Sequence, residues 1–128
     1  MDYPHEELTR KIIACFYKVN KTLGDGFLEK VYHNALLHEL QKNGLNCFSQ
    51  FPIKVYYDDV MVGEYYADIV VEDTVILELK VVSELLYEHE CQLINYLRAS
   101  GYEIGLLINF GKNSAVKRKI FSHKTESK

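Results

Sequence analysis

At 128 residues, with 48% hydrophobic and 26% charged side chains, the chain can bury one real core and is most simply a single domain, residues 1–128. No apolar run approaches the ~20 residues needed to span a bilayer. A net charge of −3 argues against a protein held on nucleic acid by bulk charge alone.

The chain opens Met1-Asp2-Tyr3-Pro4-His5-Glu6-Glu7. This acidic start lacks the basic-then-apolar layout of a secretory signal, so a cytoplasmic protein is expected, with no membrane partner. From about residue 5 to 22, apolar Leu8, Ile12, Ile13, Cys15, Phe16 and Val19 recur at helical spacing. Leu23-Gly24-Asp25-Gly26 breaks that pattern. A second helix is expected from about Phe27 to Asn43, with Leu28, Val31, Tyr32, Ala35, Leu36, Leu37 and Leu40 inward and Gly44 as its stop.

The period changes at Cys47, where Phe51, Ile53, Val55 and Tyr57 alternate with other residues as a strand does. Asp58-Asp59 reads as a turn. Val60 to Val71 is a second strand, in which Gly63 marks a candidate bulge. Thr74 to Val81 is a third, apolar on both faces near Val75–Leu79 and so expected at the centre of the sheet. A third helix spans about Tyr87 to Ser100. Glu103 to Phe110 is an apolar strand, and Val116 to Phe121 an edge strand whose Lys and Arg discourage pairing with other chains. The order α-α-β-β-β-α-β-β gives an α/β fold, a central mixed sheet of 4–5 strands flanked by helices.

The segment from Asp68 to Lys80 carries the chemistry. Side chains alternate along a strand, so Glu78 and Lys80 share one face while Leu77 and Leu79 take the other. A turn at Glu72-Asp73-Thr74 brings Asp68 near both. Two carboxylates and an ammonium on one patch can hold a divalent cation and position a water, as metal-assisted phosphodiester hydrolysis requires. A solvated ion pair is the other reading of Glu-x-Lys. Its apolar surroundings favour the first, because buried charges are costly unless paired or metal-bound. On the third helix Glu88, Gln92 and Tyr96 form one stripe. That stripe either faces water or reaches back toward the acids. Glu29 lies in the first turn of the second helix, where the helix dipole favours a carboxylate.

The remaining candidates are weaker. Residues 112–128 carry six basic residues against one acidic, a net +5, which leaves −8 on the rest. Such a tail either contacts a phosphate backbone or is simply solvated. Three scattered cysteines, Cys15, Cys47 and Cys91, fit buried reduced thiols better than a disulfide frame or zinc site. The five histidines assemble no rival centre, and Gly24-Asp25-Gly26 lacks the context of a phosphate loop.

These motifs together resemble a known group. Asp68 followed by Glu78-Leu79-Lys80 is similar to the PD-(D/E)XK nuclease signature, with Ala67 where the name implies Pro. Gln92-Leu93-Ile94-Asn95-Tyr96 resembles the Q-x-x-x-Y motif of its RecB-like and phage-exonuclease-like branch. Gly26 to Tyr32 resembles the Gly-x-x-Glu-x-x-Tyr pattern of the GxxExxY family.

The resemblance implies a restriction-endonuclease-like core and an Mg²⁺- or Mn²⁺-dependent deoxyribonuclease of DNA repair, processing or defence. It implies Asp68, Glu78, Lys80, Gln92 and Tyr96 as catalytic residues. Asp68, Glu78, the Leu79 carbonyl and Glu29 (direct or through water) would be metal ligands. In the basic segment, Lys112, Lys117, Arg118 and Lys119 are the candidates to touch nucleic acid. Single strands or duplex ends fit the branch, and a chain this short invites a homodimer or partner protein to grip a duplex. The alternative is a catalytically silent nucleic-acid-binding or regulatory module on the same fold.

Overall fold

The computed structural model describes residues 5–123. The last part of the basic segment, with Lys124, Glu126 and Lys128, lies outside the described residues. Two helices, α1 (Glu6–Leu23) and α2 (Glu29–Lys42), precede three strands: β1 (Cys47–Tyr57), β2 (Val60–Val71) and β3 (Val75–Lys80). Helix α3 (Tyr87–Ala99) then leads to β4 (Ile104–Asn109) and β5 (Ala115–Ile120). The sheet order is β1-β2-β3-β4-β5. Strands β3 and β4 run parallel, joined by the α3 crossover, and the other neighbouring pairs are antiparallel.

The turns follow from residues that tolerate positive φ. Asp58 and Asp59 (φ 51° and 64°) close β1–β2, and Glu72 and Asp73 (φ 53° and 49°) close β2–β3. The β1–β2 register shifts between Val55 and Tyr56, beside Gly63, so the expected bulge is present.

The sheet buries both faces. Ile69, Val71, Val75, Leu77, Leu79 and Ile108 pack under Ile12, Phe16, Leu36 and Leu40 of α1 and α2. On the opposite side Ile53, Val70, Ile76 and Leu107 pack under Leu93, Tyr96 and Leu97 of α3. This double burial is why β3 reads as apolar throughout. Among the described residues, no helix is long and apolar enough to cross a membrane.

Two expectations need correcting. Leu28 and Val31 do not face inward, being 79% and 38% exposed. Leu28 is still extended (φ −74°, ψ 157°), so the helix begins at Glu29 and its buried stripe is Tyr32, Leu36 and Leu40. Of the three free cysteines only Cys15 is buried; Cys47 and Cys91 are half-buried.

The carboxyl ends of β3 and β4 are locked together by a residue that spacing did not flag. Asn109 is fully buried. Its Oδ1 accepts the Val82 and Gly111 N–H groups at 3.0 and 2.9 Å. Its Nδ2 donates to the Val82 and Asn113 carbonyls at 2.9 and 3.0 Å. Gly111 must be glycine here, because a Cβ would lie 1.9 Å from the Val82 carbonyl oxygen. The Lys80 carbonyl, one strand over, accepts the Phe110 N–H at 2.9 Å. Asn109→Leu keeps the volume but strands four backbone groups, so it should cost about 3 kcal/mol. Urea denaturation should show this as a lowered midpoint with unchanged slope.

Candidate active site

The site starts where β2 and β3 part. Their ladder pairs Val71 with Val75, Val70 with Ile76 and Ile69 with Leu77, then ends. One more step would set Asp68 opposite Glu78. Instead Asp68 Oδ2 accepts the Leu79 N–H at 2.7 Å. A side-chain carboxylate has replaced a ladder carbonyl, and the strands fork around it. Since Leu77 and Leu79 enter the α1–α2 core, Glu78 and Lys80 project to the α3 side.

Glu78 is 7% exposed, and its Oε2 has no hydrogen-bond partner. Burial pushes its pKa up to about 9, helped by the Asp68 carboxylate and opposed by Lys80. In its charged form that outer oxygen lacks a donor. As an acid, Glu78 has Asp68 within reach as an acceptor. A proton or a cation must therefore occupy the space between these two carboxylates.

The donor set fits Mg²⁺ or Mn²⁺, which bind oxygen and commonly keep several waters around one or two carboxylates. Among the described residues, no three or more His, Cys, Asp or Glu side chains come together as a cage that could hold a metal ion. Glu29 accordingly stands at the mouth of the site as a solvent-exposed residue rather than as part of such a cage.

Glu29 is aimed by its neighbours in sequence. Gly26 adopts φ +112°, a conformation side chains rarely take. Tyr32 is fully buried and stacks on Phe110 with ring centroids 4.7 Å apart. Its hydroxyl donates to the Gly24 carbonyl at 2.5 Å and accepts the Phe27 N–H at 3.3 Å. Gly26 thus permits the loop, Tyr32 clamps it, and Glu29 emerges at the first helical position. Partial burial raises its pKa, and Asp68 adds to the rise, while Lys80 and His33 oppose it. Those causes place Glu29 in electrostatic reach of both Asp68 and Lys80.

His33, dismissed on spacing, belongs to the frame. Its Nε2 lies 3.2 Å from the Asp68 carbonyl and 3.1 Å from Ser49 Oγ. It therefore ties α2 and β1 to the backbone of the forked residue. The available signal was its position four residues after Glu29, on the same helix stripe.

On α3, Gln92 Nε2 donates to Tyr96 Oη at 2.6 Å. Tyr96 is buried, and burial raises its pKa, with further contributions from Glu78, Asp68 and Tyr65. Its hydroxyl therefore feels both acids. Lys80 is half-buried on the same side, and no ion pair among the described residues uses it.

The basic residues of β5 are not gathered there. Lys117 and Lys119 pair with Glu90 of α3 at 2.7 and 2.5 Å and hold its carboxyl down at about 2. Arg118 turns to the opposite face, where Nη1 donates to Thr9 Oγ1 at 3.0 Å. Lys112 is exposed in the turn after β4. The four do not make one cationic face.

The mixed five-stranded sheet with helices on both sides is a restriction-endonuclease-like fold. The profile of the PD-(D/E)XK nuclease superfamily matches residues 6–120, and the chain belongs to that superfamily. Members of that superfamily are nucleases that generally use a divalent metal. A solved structure titled "Crystal structure of SSO0001" shares the fold with a TM-score of 0.54 and 19% sequence identity. The alignment covers 94% of this chain but 62% of that one. No curated protein matches the chain.

The Glu78 shift has a direct consequence for stability. The folded pKa of about 9 exceeds the ordinary value of 4.5, so between these limits the folded state holds the extra proton. That contribution is full below pH 4.5 and is lost as pH rises toward 9. In EDTA, stability should fall with pH across this window by up to about 1.4 kcal/mol per unit. Glu78→Gln should flatten that slope and be the more stable protein at pH 8.5, as read by urea unfolding.

Proposed function

We propose that this protein is an Mg²⁺- or Mn²⁺-dependent deoxyribonuclease of the GxxExxY type, acting in the cytoplasm on DNA undergoing repair, processing or defence. The observation that carries the reading is the fork at Asp68. Two carboxylates meet there around an unsatisfied buried oxygen, with an ammonium on the same strand face that is in electrostatic reach of Glu78 yet closes no ion pair among the described residues. A merely structural Glu-x-Lys pair would instead close on itself in a salt bridge.

Asp68 and Glu78 would hold the cation directly, with the Leu79 carbonyl available as a further oxygen and Glu29 reaching through water. When bound, the cation supplies Lewis-acid polarisation of the phosphate and a bound water of lowered pKa. The chain's own residues do the rest. Lys80, fixed beside Glu78, orients the attacking water and meets the negative charge that builds on the phosphate oxygens. The Gln92–Tyr96 pair presents a braced hydroxyl next to the acids, suited to donate to a phosphate oxygen. Tight fixation of these groups converts binding into alignment.

Lys80→Ala, purified identically to the native protein, should reduce Mn²⁺-dependent cleavage of labelled DNA by at least about 100-fold. Absence of cleavage by either protein would defeat the catalytic assignment and favour the silent module.

Metal binding is separable from turnover. At Mg²⁺ near 100 times its Kd the native fold should gain about 2.7 kcal/mol, seen as a rise in melting temperature. Asp68→Asn should lose that gain. An equal rise in both proteins would place the cation elsewhere.

A further inference from the structure

We infer that an unpaired strand of nucleic acid lies in the groove between the β1–β2 hairpin and α3, its bases against tyrosine rings; this rests on the nuclease reading and specifies its substrate form. Beyond the fork, β2 from Val60 to Ala67 pairs with β1 but not with β3, so the hairpin leaves the sheet as a two-stranded arm. Between this arm and α3 lies a groove of about 920 Å³. That is at the upper end of the roughly 300–1,000 Å³ of small-molecule sites.

Four tyrosines line it: Tyr56 and Tyr65 from the arm, Tyr87 and Tyr96 from α3. Tyr56, Tyr65 and Tyr87 are 59%, 50% and 78% exposed, so they are not core residues. Tyr65 lies against Tyr96 with ring centroids 5.6 Å apart. The groove reaches Gln92 and Tyr96, and the Tyr96 hydroxyl is in electrostatic reach of Glu78 and Asp68, so its inner end adjoins the acids.

Charge selects the occupant. Lys54 and Arg98 line the groove, and no ion pair among the described residues neutralises either. The Arg98 guanidinium bonds Asn95 Oδ1 at 3.1 Å and sits 5.2 Å over the Phe121 ring, both neutral. Glu88 is the acid on the lining. Aromatic platforms interleaved with cations are how proteins hold single strands, because every base offers a π-face and every linkage a negative charge. A duplex hides its base faces in its own stack, so these rings would have nothing to cover.

The test is fluorescence anisotropy of a labelled 15-mer of thymidine and of a matched duplex, in EDTA so that nothing is cut. It is followed by Mn²⁺-dependent cleavage of the same oligonucleotides, using the full chain throughout. The single strand should bind at least about tenfold more tightly than the duplex. Tyr87→Ala and Tyr56→Ala should each weaken single-strand binding by about fivefold or more. Tyr87→Phe and Tyr56→Phe, which keep the rings, should not. Because these side chains are exposed, melting temperatures should be unchanged.

Tyrosine-dependent binding without cleavage would uphold the groove and defeat the nuclease reading. Cleavage and binding indifferent to all four substitutions would do the reverse. A change in sedimentation of the Ala variants with oligonucleotide binding intact would assign the groove to a protein contact and overturn the inference.

Discussion

A single side-chain-to-backbone bond, Asp68 Oδ2 to the Leu79 N–H, organises this molecule. In a continuous ladder that N–H would meet a carbonyl of β2, and the two strands would stay parallel to the sheet plane. By satisfying it with a carboxylate, the chain ends pairing at Ile69 and Leu77 without stranding a donor. Two consequences follow from the same bond. β2 is released to pair with β1 alone, which creates the arm. Asp68 is also fixed beside Glu78, which creates a pair of acids that cannot both stay charged unaided.

The supports around that fork share one physical character: polar side chains bonded to backbone. His33, itself bonded to Ser49, holds the Asp68 carbonyl. Tyr32 holds the loop that delivers Glu29. Asn109 holds the loops beyond β3 and β4, next to Lys80. Bonds to backbone fix position with little added charge near the acids; of these supports only His33 bears on the electrostatics of Glu29.

The sequence carried most of the architecture because periodicity reports burial, and here burial is two-sided and regular. β2 was legible to the residue, and β3 was legible as central since apolar residues occupy both its faces. Glu78 and Lys80 on one face follow from strand alternation, and Gln92 beside Tyr96 from helical spacing. Leu28 misled because hydrophobicity alone does not tell a helix residue from the extended one before it. His33 and Asn109 escape a reading by spacing for another reason. Each is anchored to the backbone of a distant segment, at Asp68 and Val82 respectively, and backbone has no side-chain letter to read. Charge counts along the sequence also ignore pairing: Glu90, far away in sequence, engages both Lys117 and Lys119 from α3 and cancels one of their two charges.

That pairing bears on how the proposed nuclease would hold a polyanion on an acidic body. With Lys117 and Lys119 sharing Glu90 and Arg118 turned to the α1 side, the attraction from β5 is reduced and divided between two faces. On the proposed nuclease reading, grip comes from contacts local to the acids. The arm meets that need through covalent continuity, since β2 runs from Tyr65 at the groove to Asp68 at the fork as one strand. A two-stranded ribbon is marginal by itself. Its register is nonetheless inherited from the sheet at Ile69–Val71, so the position of Tyr65 is set relative to Asp68 by strand geometry. Whatever rests against that ring is thereby measured off from the carboxylates.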